Sequence, residues 1–203
     1  MKRNAELRAQ AYMALEGNWK MAAIITLVYF LIEGGIQCGV DFVHRSLDII
    51  SILLMPIVYG YFIAFLALVR GEELQFERLF DGFKDYGRVL GTLLLTTVYT
   101  LLWALLLIIP GIVKGYSYAL TNYILKDEPQ LRFNGAIEKS MDMMSGYKMK
   151  LFLMDLSFIG WAILCLLTLG IGFLFLAPYV AASHAAFYQY VKEEYMKDQV
   201  VEY

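Results

Sequence analysis

At 203 residues the chain has room for one or two soluble domains, but its composition excludes that class. Hydrophobic residues make up 60% and charged residues 18%, against about 45–50% and about 25% in soluble chains; the mean hydropathy is +0.57. The formal net charge of −2 says little by itself, whereas the places where charge falls say a great deal.

The N-terminal stretch MKRNAELRAQAYMALEGNWK is long and mixed in charge, and no small-x-small site follows at the right distance, so it does not read as a cleaved signal. Leu7, Ala11, Tyr12, Leu15 and Trp19 give it a faint helical stripe. Apolar runs then follow at Met21–Val43, Ile49–Val69, Val89–Val113 and Leu151–Val191. Each approaches or exceeds the roughly 20 residues that cross a bilayer. Cys38 and Cys165 lie inside these runs and the two histidines are far apart, so neither a disulfide nor a zinc framework is expected. Both cysteines read as small buried hydrophobes.

Pro110-Gly111 interrupts the third run and decides the topology. Taken as a turn, it gives six spans: Met21–Val43, Ile49–Val69, Val89–Ile109, Ile112–Leu125, Met149–Leu167 and Ile171–Val191. Fifteen of the seventeen Lys and Arg then fall on one side of the membrane, leaving Arg45 and Lys114 on the other. Basic loops face the cytoplasm, which puts both termini inside. Taken as a kink, Pro110-Gly111 leaves five spans and the asymmetry vanishes. The 14 residues of Ile112–Leu125 are short for about 30 Å of hydrocarbon, so the bilayer thins there or the turn is buried below the outer surface.

A cytoplasmic segment with helical apolar spacing precedes each hairpin. In FERLFDGFKDYGRVL the stripe is Phe76, Leu79, Phe80, Phe83 and Tyr86; in AIEKSMDMMSGYK it is Ile137, Met141, Met144 and Tyr147. Such segments are expected to lie in the interface, apolar face down. Trp19, Tyr86 and Tyr147, each near a base, are the expected headgroup anchors. PIVYGYFIAFLAL resembles PGIVKGYSYALTNYIL, and WALLLIIPG resembles WAILCLLTLG. The expectation is an all-α, polytopic membrane protein: a single membrane domain over 1–203 holding three parallel repeats, about 4–70, 74–126 and 131–192. Pro56, Pro110, Gly111, Gly170, Gly172 and Pro178 mark its turns and bends.

Several of these residues together carry a family resemblance. Leu15 with Gly17-Asn18-Trp19, LFDGF at Leu79–Phe83, Pro110-Gly111-Ile112 and Ser140 with Met144 and Gly146 are four of its parts. LSFIGW at Leu156–Trp161, TLGIG at Thr168–Gly172, Pro178-Tyr179 and Phe187-Tyr188 complete it. The pattern resembles a bacterial integral-membrane family catalogued as domain of unknown function 975, over nearly the whole chain. The family looks distantly related to the membrane domain of glycerophosphoryl diester phosphodiesterases, whose catalytic soluble domain has no counterpart here. The resemblance implies a six-helix protein of the bacterial cytoplasmic membrane and no particular activity.

No nucleotide loop, nucleophile elbow, paired catalytic carboxylates or metal cluster is visible, so no enzyme activity, cofactor, metal or nucleic-acid partner is expected. Polar residues inside the spans are the candidates. Glu33, Gln37 and Asp41 share one face of the first span, with Asp41 at its solvated outer end. At 1.5 Å per residue Glu33 and Lys114 lie roughly 21 and 18 Å above the cytoplasmic boundary, which predicts a Glu33–Lys114 pair. Asp155 and His184 both lie about 12 Å above it, which predicts a second pair. Tyr59, Tyr61, Tyr116, Tyr118, Tyr123 and Tyr179 could line a substrate path or simply pack; Gly60 and Gly115 are expected to allow close helix approach. The first expectation is a non-enzymatic scaffold or accessory protein, with membrane lipids and a membrane protein or a second copy as partners. The alternative is a small transporter with a polar path through the two pairs.

Overall fold

The computed structural model describes residues 2–40 and 52–201, together with their side chains except at 36–40 and 200–201. The side chains of Gln37 and Cys38, and Asp41, Arg45 and the start of the second expected span, lie outside the described residues. The chain is helical: α1 (Asn4–Leu15), α2 (Trp19–Val40), α3 (Pro56–Val69), a 3-10 helix (Phe76–Phe83), α4 (Tyr86–Leu106), α5 (Ile108–Tyr118), α6 (Thr121–Asp127), α7 (Asn134–Met143), α8 (Lys148–Leu156), α9 (Ile159–Leu167) and α10 (Phe173–Val201). Among the described residues three stretches, Ile52–Val69, Tyr86–Leu106 and Lys148–Leu167, are long and apolar enough to cross a membrane, and α1 with Trp19–Gly35, bent by 97°, would make a fourth. The fourth expected span is instead two short helices, α5 and α6.

α3 is the centre of the molecule. PIVYGYFIAFLALV carries no charge, and a helix apolar on all sides has to be buried on all sides. Tyr59, Ile63 and Leu66 enter one apolar core with α6, α8 and α10, while Ile57, Tyr61, Ala64 and Leu68 enter a second with α1, α2 and the 3-10 helix. On α10 Ala181, Ala182, Ala185 and Ala186 are buried, small residues that let it lie close to its neighbours.

Glycine decides how the 3-10 helix docks. A Cβ on Gly60 would sit 2.5 Å from the Leu79 carbonyl carbon, and one on Gly82 would sit 2.8 Å from Pro56 Cβ. The two backbones therefore touch at both ends of the contact. The expected α-helical stripe does not form there: Leu79 is buried, but Phe80 and Phe83 are exposed, because three residues per turn rotate them outward. Phe76, Phe80, Phe83 and Tyr86 make a chain of ring contacts across that surface.

The expected interfacial face of α1 also packs on protein. Leu7, Ala11 and Leu15, at i, i+4 and i+8, are fully buried against α10 and its neighbours, while Tyr12 and Met13 are exposed. Arg8 Nη1 donates to Ser157 Oγ at 3.0 Å, at the junction of α8 and α9.

The middle hairpin turns at Leu107 rather than at Pro110-Gly111. Leu107 is extended (φ −158°, ψ 137°), and Pro110 is the third residue of α5. A proline costs nothing there, since first-turn N–H groups have no intrahelical acceptor. Gly111 instead admits α4: its Cβ would lie 2.6 Å from Ala104 Cα. Pro56 is the first residue of α3, directly after the interruption at Met55 in the helical stretch Ile52–Val69. Pro178 does lie inside a helix, α10. Gly170 turns the last hairpin at φ +87°, beside Leu169 at φ +54°, and Gly172 fits against Cys165.

Candidate functional site

Asp155 on α8 and His184 on α10 face one another across the last hairpin. His184 Nε2 and Asp155 Oδ1 are 2.6 Å apart. Tyr116 on α5 donates its hydroxyl to Asp155 Oδ2 at 3.1 Å. Both carboxylate oxygens thus have a partner, and the cluster ties three helices from two hairpins. The Asp155 and His184 side chains remain 30% and 23% exposed, because two apolar grooves meet them. One, about 420 Å³, runs from Ile108 and Gly111 past Gly115 to Leu151; the other, about 380 Å³, is walled by Phe62, Phe158, Phe173 and Ala181. An acid–base pair roofed by hydrocarbon walls can hold a polar group of an otherwise apolar molecule.

Glu33 and Lys114 do not meet. Lys114 Nζ lies 5.0 Å from the centre of the Trp103 ring, in a pocket bounded by Tyr99, Tyr118, Asn134 and Glu138. Glu33 is half-buried on α2, which packs on α3, α10 and the 3-10 helix rather than on α5. Rise per residue fixes a level in the bundle but not a direction around it. Of the two expected pairs, Asp155–His184 is the one that forms among the described residues. Gly115 meets nothing within 4 Å and is the floor of a groove, not a helix contact.

The expected anchors sit at element starts. Trp19 begins α2 and lies against Tyr12 and Phe175, with ring centroids 5.9 and 6.4 Å away. Tyr86 begins α4 and donates to the Leu53 carbonyl at 3.1 Å. Tyr147 precedes α8 and meets Tyr190 edge-on.

Two polar centres escaped the sequence reading. Where the ends of α3 and α6 meet α10, Asp127, only 7% exposed, receives Arg70, Tyr188 at 2.7 Å and Lys192 at 2.5 Å. Burial pushes its carboxyl up, but the hydrogen bonds from Arg70, Lys192 and Tyr188 outweigh that and hold it at about 2. A legible signal was the recurrence of Val69-Arg70-x-Glu72, Leu125-Lys126-x-Glu128 and Val191-Lys192-x-Glu194 at the hairpin ends. The second centre is Ser140 on α7, which donates to the Ser117 carbonyl at 2.8 Å and accepts from Leu120 N–H at 3.2 Å. It satisfies the backbone groups freed where α5 breaks from α6.

A family described as proteins of unknown function, DUF975, matches the chain twice, over residues 1–114 and 105–195. No curated protein and no solved structure matches it.

Proposed function

The chain belongs to the DUF975 family, and we propose that it is a multi-pass protein of the bacterial cytoplasmic membrane that works through lipid contacts, as a scaffold or accessory protein without enzymatic activity. Three apolar helices of spanning length support insertion in a membrane, and the one-sided Lys/Arg distribution supports six spans in three hairpins with cytoplasmic termini. The recurrence of Pro56, Pro110 and Pro178, each 14 to 16 residues before Arg70, Lys126 and Lys192, supports the threefold repeat. So does positive φ at Gly17 and Gly146, each two residues before a long helical stretch begins.

One observation carries the lipid reading: the Asp155–His184 pair lies between two apolar grooves, each bordered by it. The pair fixes α8 to α10, and the grooves offer seats for apolar chains on either side. A membrane-protein partner or a second copy would dock on the same apolar flanks. The test is native mass spectrometry of protein extracted in its own lipid. Wild type is expected to retain bound lipid through detergent exchange, and Gly115→Trp, which fills the larger groove, is expected to lose it. Equal retention by the two sinks the lipid reading.

A further inference from the structure

Resting on the membrane reading above, we infer that the tip of the last hairpin, Leu166–Ile171, ends in the hydrocarbon of the outer leaflet and never reaches external water. The side chains point to that medium. Leu169 is 94% exposed and Leu167 78%, with Leu166 and Ile171 also exposed, and no charged residue lies in the tip. The same apolar surface continues down α9 through Ile163 and Trp161.

The backbone carries the argument further. A turn in water can leave N–H groups to solvent, whereas in hydrocarbon each needs an internal acceptor. Every N–H from Thr168 to Leu176 has one. Thr168 and Gly170 donate to the Cys165 carbonyl, at 3.2 and 3.1 Å, Leu169 to Leu166 and Ile171 to Thr168. Phe173, Leu174, Phe175 and Leu176 donate to Gly170, Ile171, Gly172 and Gly172 respectively. Gly172 is the one residue with no carbonyl in reach, and the Thr168 hydroxyl takes its N–H at 3.0 Å while donating to the Cys165 carbonyl at 2.8 Å. The single polar side chain between Leu166 and Ile171 is thus spent on closing the turn.

Length agrees. From Tyr147 at the headgroup level, the 20 residues of Lys148–Leu167 rise at most about 30 Å, the thickness of the hydrocarbon itself, so any tilt stops the tip short of the far boundary.

A nitroxide at Leu169→Cys, in a Cys38→Ser/Cys165→Ala background reconstituted into phosphatidylethanolamine–phosphatidylglycerol vesicles, tests this. Collision rates with oxygen and with a neutral nickel chelate are compared with those of a label at the exposed Lys197. The expected result is an oxygen-to-nickel ratio several-fold above the Lys197 control, reproduced at Ile171→Cys. A ratio equal to the control means the tip is in water, and low access to both reagents means protein covers it; either result overturns the inference. Flotation of the same vesicles separates the two failures: protein that does not float refutes the membrane reading itself, and the inference with it.

Discussion

Arg70 and Asp127, 57 positions apart, meet in a two-point contact, Nη1 to Oδ1 at 2.8 Å and Nη2 to Oδ2 at 2.6 Å. Lys192 and Tyr188 close on the same carboxylate, so the C-terminal ends of α3 and α6 and the middle of α10 share one charge. Removing one partner of a buried pair strands the others, and Asp127→Ala is expected to cost about 3 kcal/mol. The thermal midpoint of the detergent-solubilised protein reads it, and a midpoint equal to wild type would show the knot to be idle.

The same group sets an acid limit. Its folded pKa lies below its unfolded value, so its contribution is complete above about pH 4 and is lost as pH falls towards about 2. The loss across that window is roughly 2 kcal/mol. Asp127→Asn should flatten this part of the stability–pH curve; an unchanged slope assigns the acid sensitivity elsewhere.

Gly60→Ala is expected to destabilise by about 3 kcal/mol, because its Cβ would meet backbone rather than a flexible side chain. Gly115→Ala, in open space on α5, is the matched control and should be neutral or stabilising by about 0.5–1 kcal/mol. Equal effects at the two glycines would contradict the backbone contact between α3 and the 3-10 helix.

Ser140→Ala removes one hydroxyl and strands two backbone groups, the Ser117 carbonyl and the Leu120 N–H. About 1–3 kcal/mol is expected, with faster hydrogen exchange at Leu120 as the local signature. Exchange at wild-type rates would argue that the α5–α6 break is satisfied some other way.

Double-mutant cycles separate the two expected pairs. Asp155→Ala with His184→Ala should show coupling of about 1 kcal/mol or more, as contacting residues do. Glu33→Gln with Lys114→Met should be additive to within about 0.5 kcal/mol. Coupling between Glu33 and Lys114 would place α5 beside α2, contrary to the packing described above.

Class and local chemistry follow from sequence, because they depend on what each residue type does in its own surroundings. Unbroken apolar runs point to helices long and apolar enough to cross a membrane, Gly170 marks a turn because it can take positive φ, and Asp155 and His184 come out at one level from the helical rise alone. Azimuth and exact breaks are not of that kind. Lys114 faces Trp103 instead of Glu33 because α5 packs on α4 and α7, which no spacing along α5 records. The middle turn falls at Leu107 because a proline in the first turn of a helix is free, so Pro110 can stand inside the element it was expected to end. Phe76–Phe83 becomes a 3-10 helix because Gly60 and Gly82 bring two backbones together, and only the tertiary structure shows that meeting.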